Sequence, residues 1–147
     1  MPLDSTFIDR NRVSTERIRE FARLADAKMR TRVGEHWTVS ILLAHLAFWD
    51  RRVMYVLDRS EQEGKLFIPE VGIEVNDLSL PLWAAIPPAE AARLAVESAE
   101  TLDRRLELYP PHLLEEIYAY NKRWVDRSLH RNEHLNEAAA ALKSTAS

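Results

Sequence analysis

A chain of 147 residues, of which 46% are apolar and 29% charged, is long enough to bury its own core, and we expect a single domain over residues 1–147. Its net charge of −3 offers no basic excess for phosphate contacts, which argues against a nucleic-acid-binding protein. The chain has no cysteine, so it forms no disulfide and offers no thiolate ligand or cysteine nucleophile. No apolar stretch is long enough to span a membrane, and the first residues lack a signal-peptide pattern, so we expect a cytoplasmic protein without a membrane partner.

The spacing of apolar residues predicts four main helices and therefore an all-α fold. The first helix is expected to begin at a Ser14-Thr15 cap and to run to about Met29, because apolar residues recur on one side of this segment at helical spacing. Gly34 then interrupts the pattern. The sequence thus predicts one long helix before the first turn.

The second helix is expected to begin at Thr38 or Ser40, both suitable N-cap residues, and to end near Gly64. Its predicted inward stripe consists of Leu42, His45, Leu46, Trp49, Val53, Val56 and Leu57. His45 is therefore expected to face the interior, and Trp49 to pack in the core.

The prolines and glycines within residues 64–87 predict a long irregular connection between the second and third main helices. A short helix is expected in it over residues 75–83. The third helix is expected to start at Pro87-Pro88 and to end at Pro110-Pro111, followed by helical turns over residues 112–120. The last helix is expected to begin at residues 126–128, and residues 143–147 to fray. Its predicted inward stripe consists of Leu129, His130, His134, Ala138 and Ala141. Four such helices predict a four-helix bundle that carries polar ligands on two of its helices.

His130 and His134 stand four residues apart on the last predicted helix. This spacing places their rings on one helical face, with Cβ atoms about 5–6 Å apart, so both can bind one metal ion. The alternative is a chance spacing of surface histidines or of hydrogen-bonded core histidines. Because both rings lie on an apolar seam, where an unpaired polar group is costly to bury, a shared cation would satisfy them together.

The segment also reads His-x-x-Glu-His, the helical motif of a class of zinc proteases in which Glu133 would be the general base. That assignment needs a further carboxylate ligand well downstream, whereas only thirteen residues follow His134. We therefore expect no protease. Glu133 is expected to be an exposed helix residue, although it could reach the rim of the site.

Two segments carry a resemblance to a known family. Residues 37–52 read WTVSILLAHLAFWDRR, and residues 126–135 read DRSLHRNEHL. Together with Asn76-Asp77 and Leu82-Trp83, they resemble the second-helix and closing His-x3-His motifs of the DinB-like (YfiT-like) superfamily. The resemblance implies a four-helix bundle in which His45, His130 and His134 form a metal triad. Because imidazole ligands suit zinc, nickel and iron, we expect zinc, with nickel or iron as alternatives.

A three-histidine site with an open fourth position suits two reactions. It can activate water for hydrolysis, or it can bind a thiol as thiolate. The resemblance implies both metal-dependent hydrolases and transferases or isomerases that use mycothiol, bacillithiol or glutathione. We expect transfer of such a low-molecular-weight thiol to a small electrophile, with a metal-dependent hydrolase or a non-catalytic, stress-associated binding module as alternatives.

Several other features have competing interpretations. Asp126 lies one turn before His130, so it is expected either to orient that ring or to cap the last helix. His36 and His112 are expected to be loop residues beside a glycine and a Pro-Pro break. Asn76-Asp77 can cap the short helix. The long connection between the second and third main helices can cover either the core or the metal. Remaining apolar surface would support a homodimer.

Overall fold

The computed structural model describes residues 3–145, and this part of the chain is almost entirely helical. Its helices are α1 (Thr6–Ala22), α2 (Asp26–Met29), α3 (Val39–Glu63), α4 (Glu74–Ala84), α5 (Pro88–Glu107), α6 (Pro111–Tyr120) and α7 (Ser128–Thr145), with one 3-10 helix (Lys122–Trp124). Two strands of two residues each, β1 (Arg32–Val33) and β2 (Trp37–Thr38), pair antiparallel. The predicted all-α class is confirmed.

The first helix differs from its prediction at both ends. It begins at Thr6 and ends at Ala22, and Met29 belongs to the separate short helix α2. Ser14 and Thr15 do not cap it, because both are buried in its middle. Their hydroxyls bond inward, from Ser14 to the Asn11 carbonyl and from Thr15 to the Asp103 carboxylate, so polar residues that suggest a cap in the sequence belong to a buried cluster.

The short ribbon of β1 and β2 turns the chain into α3. Gly34 has a φ of 71°, in the left-handed region that glycine adopts without a steric penalty. Val33 pairs with Trp37 across the ribbon, and Thr38 ends it. Trp37 is thereby held directly before the first turn of α3.

Helix α3 confirms both predicted ends. The Thr38 hydroxyl accepts a hydrogen bond from the Ile41 amide at 3.2 Å, which is N-cap geometry. Gly64 follows Glu63 with a φ of 70° and provides the left-handed C-cap. His45 is buried as predicted, whereas Trp49 is only half-buried.

The short helix predicted in the connection between α3 and α5 is present. Residues 74–84 form α4, one residue longer at each end than predicted, and only the segment before it is irregular. The N-cap position of α4 is Ile73, without a side-chain cap. Asn76 instead accepts a hydrogen bond from the Trp49 indole at 2.9 Å, so it ties α4 to α3.

The C-terminal half follows the predicted order with two corrections. Pro88 occupies the first turn of α5, as predicted. His112 lies in the first turn of α6 and not in a loop, because Pro111 starts a ten-residue helix. Leu129 is 37% exposed, while Leu135 is fully buried, so the inward face of α7 is rotated from the predicted stripe. Helix α7 continues through Thr145, and residues 146 and 147 lie outside the described range.

The long helices pack pairwise. Helix α3 packs against α5 and α7, and α1 packs against the same two helices. The apolar core has one cluster around Val56, Leu106 and Ile117 and another around Leu42, Ala95 and Leu135. No helix in the described range has the length and apolar character needed to cross a membrane.

Candidate metal centre

Three histidines from two helices meet at one point. His45 lies on α3, and His130 and His134 lie on α7. The Nε2 atom of His45 is 3.3 Å from Nε2 of His130 and 3.2 Å from Nε2 of His134. His45 is only 2% exposed, and the other two rings are half-buried. The structure thus brings together all three residues that the sequence predicts as ligands.

Aromatic rings enclose the triad. The Trp37 ring centroid lies 4.6 Å from that of His45 and 5.6 Å from that of His134. Trp83 meets the His45 ring edge-on at 5.3 Å. Since Trp37 comes from the ribbon and Trp83 from α4, the short elements between the main helices supply an apolar wall. Such a wall strengthens electrostatic interactions at the site by excluding water.

The spacing of the nitrogens fits a bound cation. Zinc binds imidazole nitrogen at 2.0–2.1 Å in tetrahedral geometry, which separates two ligand nitrogens by about 3.3–3.4 Å. The distances from His45 to His130 and His134, 3.3 and 3.2 Å, are close to that value. Three nitrogens that converge on one point cannot all be satisfied by hydrogen bonds to one another, whereas one cation accepts all three lone pairs.

Electrostatics keep two of the rings neutral. Burial, with the nearby His134 and Arg127 as smaller causes, lowers the pKa of His45 from 6.5 to about 3. Burial and the Arg127 charge also lower the pKa of His130 far below its usual range. A neutral imidazole is the form that binds a metal, so the site is poised for metal binding near neutral pH.

The second nitrogen of each ring has a different environment. Nδ1 of His45 is buried without a hydrogen-bond partner. Arg127 Nη2 lies 3.2 Å from Nδ1 of His130 and can donate to this nitrogen when the ring proton is on Nε2. A neutral ring that binds a metal through Nε2 carries its proton on Nδ1, and this contact is then no hydrogen bond. For His134, the Glu137 carboxylate lies 2.9 Å from Nδ1, at ion-pair distance but without hydrogen-bond geometry.

The acidic residues singled out in the sequence lie away from the triad nitrogens. Asp126 accepts hydrogen bonds from Arg10 at 2.9 Å and from the Ser128 hydroxyl. It therefore neither starts α7 nor orients His130, whose outer nitrogen Arg127 contacts instead. Glu133 is exposed, as predicted, and its carboxylate bonds to Arg123 at 2.7 Å.

A buried charged cluster lies beside the triad and is absent from the sequence predictions. Arg131 is fully buried, and its guanidinium bonds to Asp50 at 3.0 Å and to Asp103 at 2.9 Å. The second oxygen of Asp50 accepts from Arg127 at 2.8 Å. Burial alone would lower the pKa of Arg131, but the two carboxylates raise it above its usual value. Because this cluster joins α3, α5 and α7, it fixes the two ligand-bearing helices relative to each other.

The neutral buried histidines predict a pH-dependent stability of the metal-free protein. His45 has a lower pKa in the folded chain than its ordinary value of 6.5, so the unfolded chain binds more protons below that pH. The free energy of unfolding is expected to fall as the pH drops from 6.5 towards 3, with no contribution from His45 above that window. At about pH 5 the loss from this one ring is about 2 kcal/mol.

Urea unfolding of the chelator-treated protein at about pH 7 and about pH 5 measures this dependence. A His45→Leu variant is expected to show a weaker loss of stability than the parent. His36→Gln, which changes a histidine outside the triad, is the matched control. An identical pH dependence in the parent and His45→Leu would show that His45 is not held neutral by the fold.

Comparison of the chain with known proteins found no match. No protein-family model matches the chain, and no curated protein and no solved structure matches it. The resemblance to the DinB-like superfamily therefore stays a prediction from the motifs around His45 and around His130 and His134. What the chain offers by its own geometry is a group of three histidines that can hold a metal ion.

Proposed function

We propose that the protein is a metal-dependent enzyme that binds one divalent ion through His45, His130 and His134. The convergence of the three Nε2 atoms carries the proposal. Within residues 3–145 the group of potential ligands contains these three histidines alone. Three protein ligands leave a fourth position for an exchangeable molecule, as in catalytic zinc sites, whereas structural sites are closed by four. Zinc suits this donor set best, and imidazole also accepts nickel or iron.

We also infer that the four long helices form the bundle implied by the DinB-like motifs. Support comes from their packing, because α1 and α3 each contact both α5 and α7. In such bundles the metal ligands project inward from facing helices. The arrangement of His45 on α3 opposite His130 and His134 on α7 agrees with that design.

We propose that the reaction is the transfer of a low-molecular-weight thiol to a small electrophile. The chemistry supplied by a bound divalent ion is Lewis acidity, which lowers the pKa of a coordinated thiol so that it reacts as thiolate. The thiolate sulfur then forms a bond to the electrophilic carbon, and the leaving group departs with the electron pair of the bond that breaks. The thiol proton passes to solvent, since Glu133 is paired with Arg123 at the surface and Glu137 faces the outer nitrogen of His134.

Hydrolysis is the second candidate, and one observation favours it. A three-histidine site with one open position has the ligand number of zinc sites that activate water. The aromatic wall formed by Trp37 and Trp83 would serve either reaction, because both benefit from a site that excludes bulk water. The two reactions differ only in which small molecule provides the nucleophile.

A product assay distinguishes the candidates. Zinc-loaded protein is incubated with a chloronitroarene, with and without glutathione or N-acetylcysteine. Thiol transfer predicts product formation that requires both the thiol and the metal and that falls to the uncatalysed rate in His134→Ala. Product formed without thiol would indicate a hydrolase and contradict thiol transfer. Binding of metal without turnover of either kind would leave the non-catalytic binding module.

A further inference from the structure

A small cationic cleft lies beside the metal centre. It has a volume of about 140 Å³ and is lined by residues of α3 and of the segment that leads into α7, among them Trp49, Arg52, Trp124, Arg127 and His130. Because His130 lines this cleft and also belongs to the triad, a molecule in the cleft touches a ring of the metal centre.

Arg52 is held in the cleft by aromatic stacking. Its guanidinium carbon lies 5.3 Å from the Trp49 ring centroid and 5.0 Å from that of Trp124, so the cation sits between two indoles. Its Nε is buried without a hydrogen-bond partner. Among residues 3–145, its side chain makes a single hydrogen bond, a long one of 3.4 Å from Nη2 to the Pro69 carbonyl.

The positive charge of Arg52 has no anionic partner within the described residues. The other two arginines of the cleft are paired, Arg127 with Asp50 at 2.8 Å and Arg123 with Glu133 at 2.7 Å. No carboxylate of residues 3–145 lies at ion-pair distance from Arg52. A partly buried guanidinium of this kind is costly unless an anion joins it.

We propose that Arg52 binds the carboxylate of a small molecule that enters this cleft, and that the molecule so held is a reactant at the triad. The second half of the proposal rests on the proposed function. A guanidinium fork matches a carboxylate, and the two indoles restrict its orientation before the ligand arrives. A cleft of about 140 Å³ has room for a short carboxylate arm, since a water molecule in the liquid occupies about 30 Å³.

Two reactants could carry this carboxylate. One is the thiol, and the other is the electrophile that receives the sulfur. Both would present the same carboxylate to Arg52, so binding in the cleft does not by itself identify which reactant carries it. The bond-forming step is unchanged, because Arg52 positions a reactant and takes no part in proton or sulfur transfer.

Binding to the metal-free protein tests the cleft alone. The probes are 3-mercaptopropionate and its uncharged counterpart 3-mercaptopropionamide, followed through the indole N–H signals of Trp49 and Trp124 by NMR. The carboxylate is expected to bind and to shift both signals, and its affinity is expected to fall about tenfold or more in Arg52→Gln, the loss typical of a charged hydrogen bond. The amide is expected to bind weakly and equally to both proteins.

Arg59→Gln is the matched control. Arg59 lies on the same helix and also stacks over aromatic rings, those of Tyr55 and Phe67, but it lies outside the cleft. This variant is expected to bind the carboxylate as the parent does. Equal affinity of the parent and Arg52→Gln for 3-mercaptopropionate, or equal binding of carboxylate and amide by the parent, would overturn the proposed site.

Kinetics with zinc-loaded protein then identify the source of the carboxylate. If the thiol carries it, Arg52→Gln raises KM for 3-mercaptopropionate with a neutral electrophile and leaves kcat nearly unchanged. If the electrophile carries it, KM rises for a carboxylate-bearing electrophile with a neutral thiol. An unchanged KM in both arms would refute the role in the reaction. Failure of the parent protein to bind zinc would instead refute the proposed function, and the result of the carboxylate-binding experiment would still stand.

Discussion

Replacing His134 by alanine is expected to abolish tight zinc binding and to leave the metal-free fold intact. Loss of a group that only orients a ligand already weakens metal binding about 10- to 100-fold, so loss of a ligand should exceed a hundredfold. The side chain of His134 is 17% exposed and lies outside the apolar clusters of the core, so we expect its truncation to be tolerated by the fold. Elemental analysis after dialysis is expected to give one zinc per parent chain and none for the variant.

Thermal unfolding provides a second measurement of the same change. At a free zinc concentration of about 100 times the dissociation constant, the metal stabilises the folded parent by about 2.7 kcal/mol. For a chain of this size, that corresponds to a rise in Tm of about 5–10 °C. The variant is expected to melt like the metal-free parent at every zinc concentration.

The control for this experiment is His112→Ala. The side chain of His112 is 88% exposed on α6 and lies 3.4 Å from Glu116, so its loss should change neither the zinc content nor the zinc-dependent Tm. A His134→Ala protein that retains its zinc and melts like the zinc-loaded parent would disprove the triad. Zinc loss with an unchanged metal-free Tm would show that the substitution removes the metal without disturbing the fold.

Replacing Arg131 by alanine is expected to be the most destabilising single change. This guanidinium is fully buried and bonds to Asp50, to Asp103 and to polar groups of α1. Its removal leaves the Asp103 carboxylate without its ion-pair partner inside the protein and costs about 3–5 kcal/mol. The midpoint of urea unfolding should fall accordingly, with an unchanged m-value.

A control variant and a double-mutant cycle isolate the cause. Arg104→Ala removes an exposed arginine whose ion pair with Glu100 spans 4.0 Å, and its effect should stay within about 0.5 kcal/mol. In a double-mutant cycle, Asp103→Asn should cost much less in the Arg131→Met background than in the parent, because the two groups stabilise each other. Additive losses would mean that Arg131 acts through packing and not through charge pairing.

The charged cluster and the metal centre are in contact through Arg127, which links the stability of the fold to the geometry of the site. Asp50 accepts from both Arg131 and Arg127, and Arg127 contacts the outer nitrogen of His130. The Asp50 carboxylate thus holds in place the arginine that contacts the ring of a candidate ligand. A residue five positions after His45 on α3 thereby influences a ligand on α7.

Local patterns in the sequence predicted the main helices in outline, the ends of α3 and the candidate pair of ligands on α7. Thr38 and Gly64 define the ends of α3 by local chemistry, a hydroxyl that caps and a residue that tolerates positive φ, so these ends were predictable. His130 and His134 share a helical face because of their spacing alone. Because the chain has no cysteine, the side chains that could bind a metal are those of His, Asp and Glu.

Only the tertiary structure decided which polar residues are buried. Ser14 and Thr15 suggest a helix cap when only their neighbours in the chain are considered, and the burial of Arg131 was not predicted. All three are buried, and each bonds to a partner distant in the sequence. Asp103 and Arg131, for example, are 28 positions apart. Periodicity predicts apolar faces, but a buried charge depends on partners from other helices, and these meet only when the helices pack.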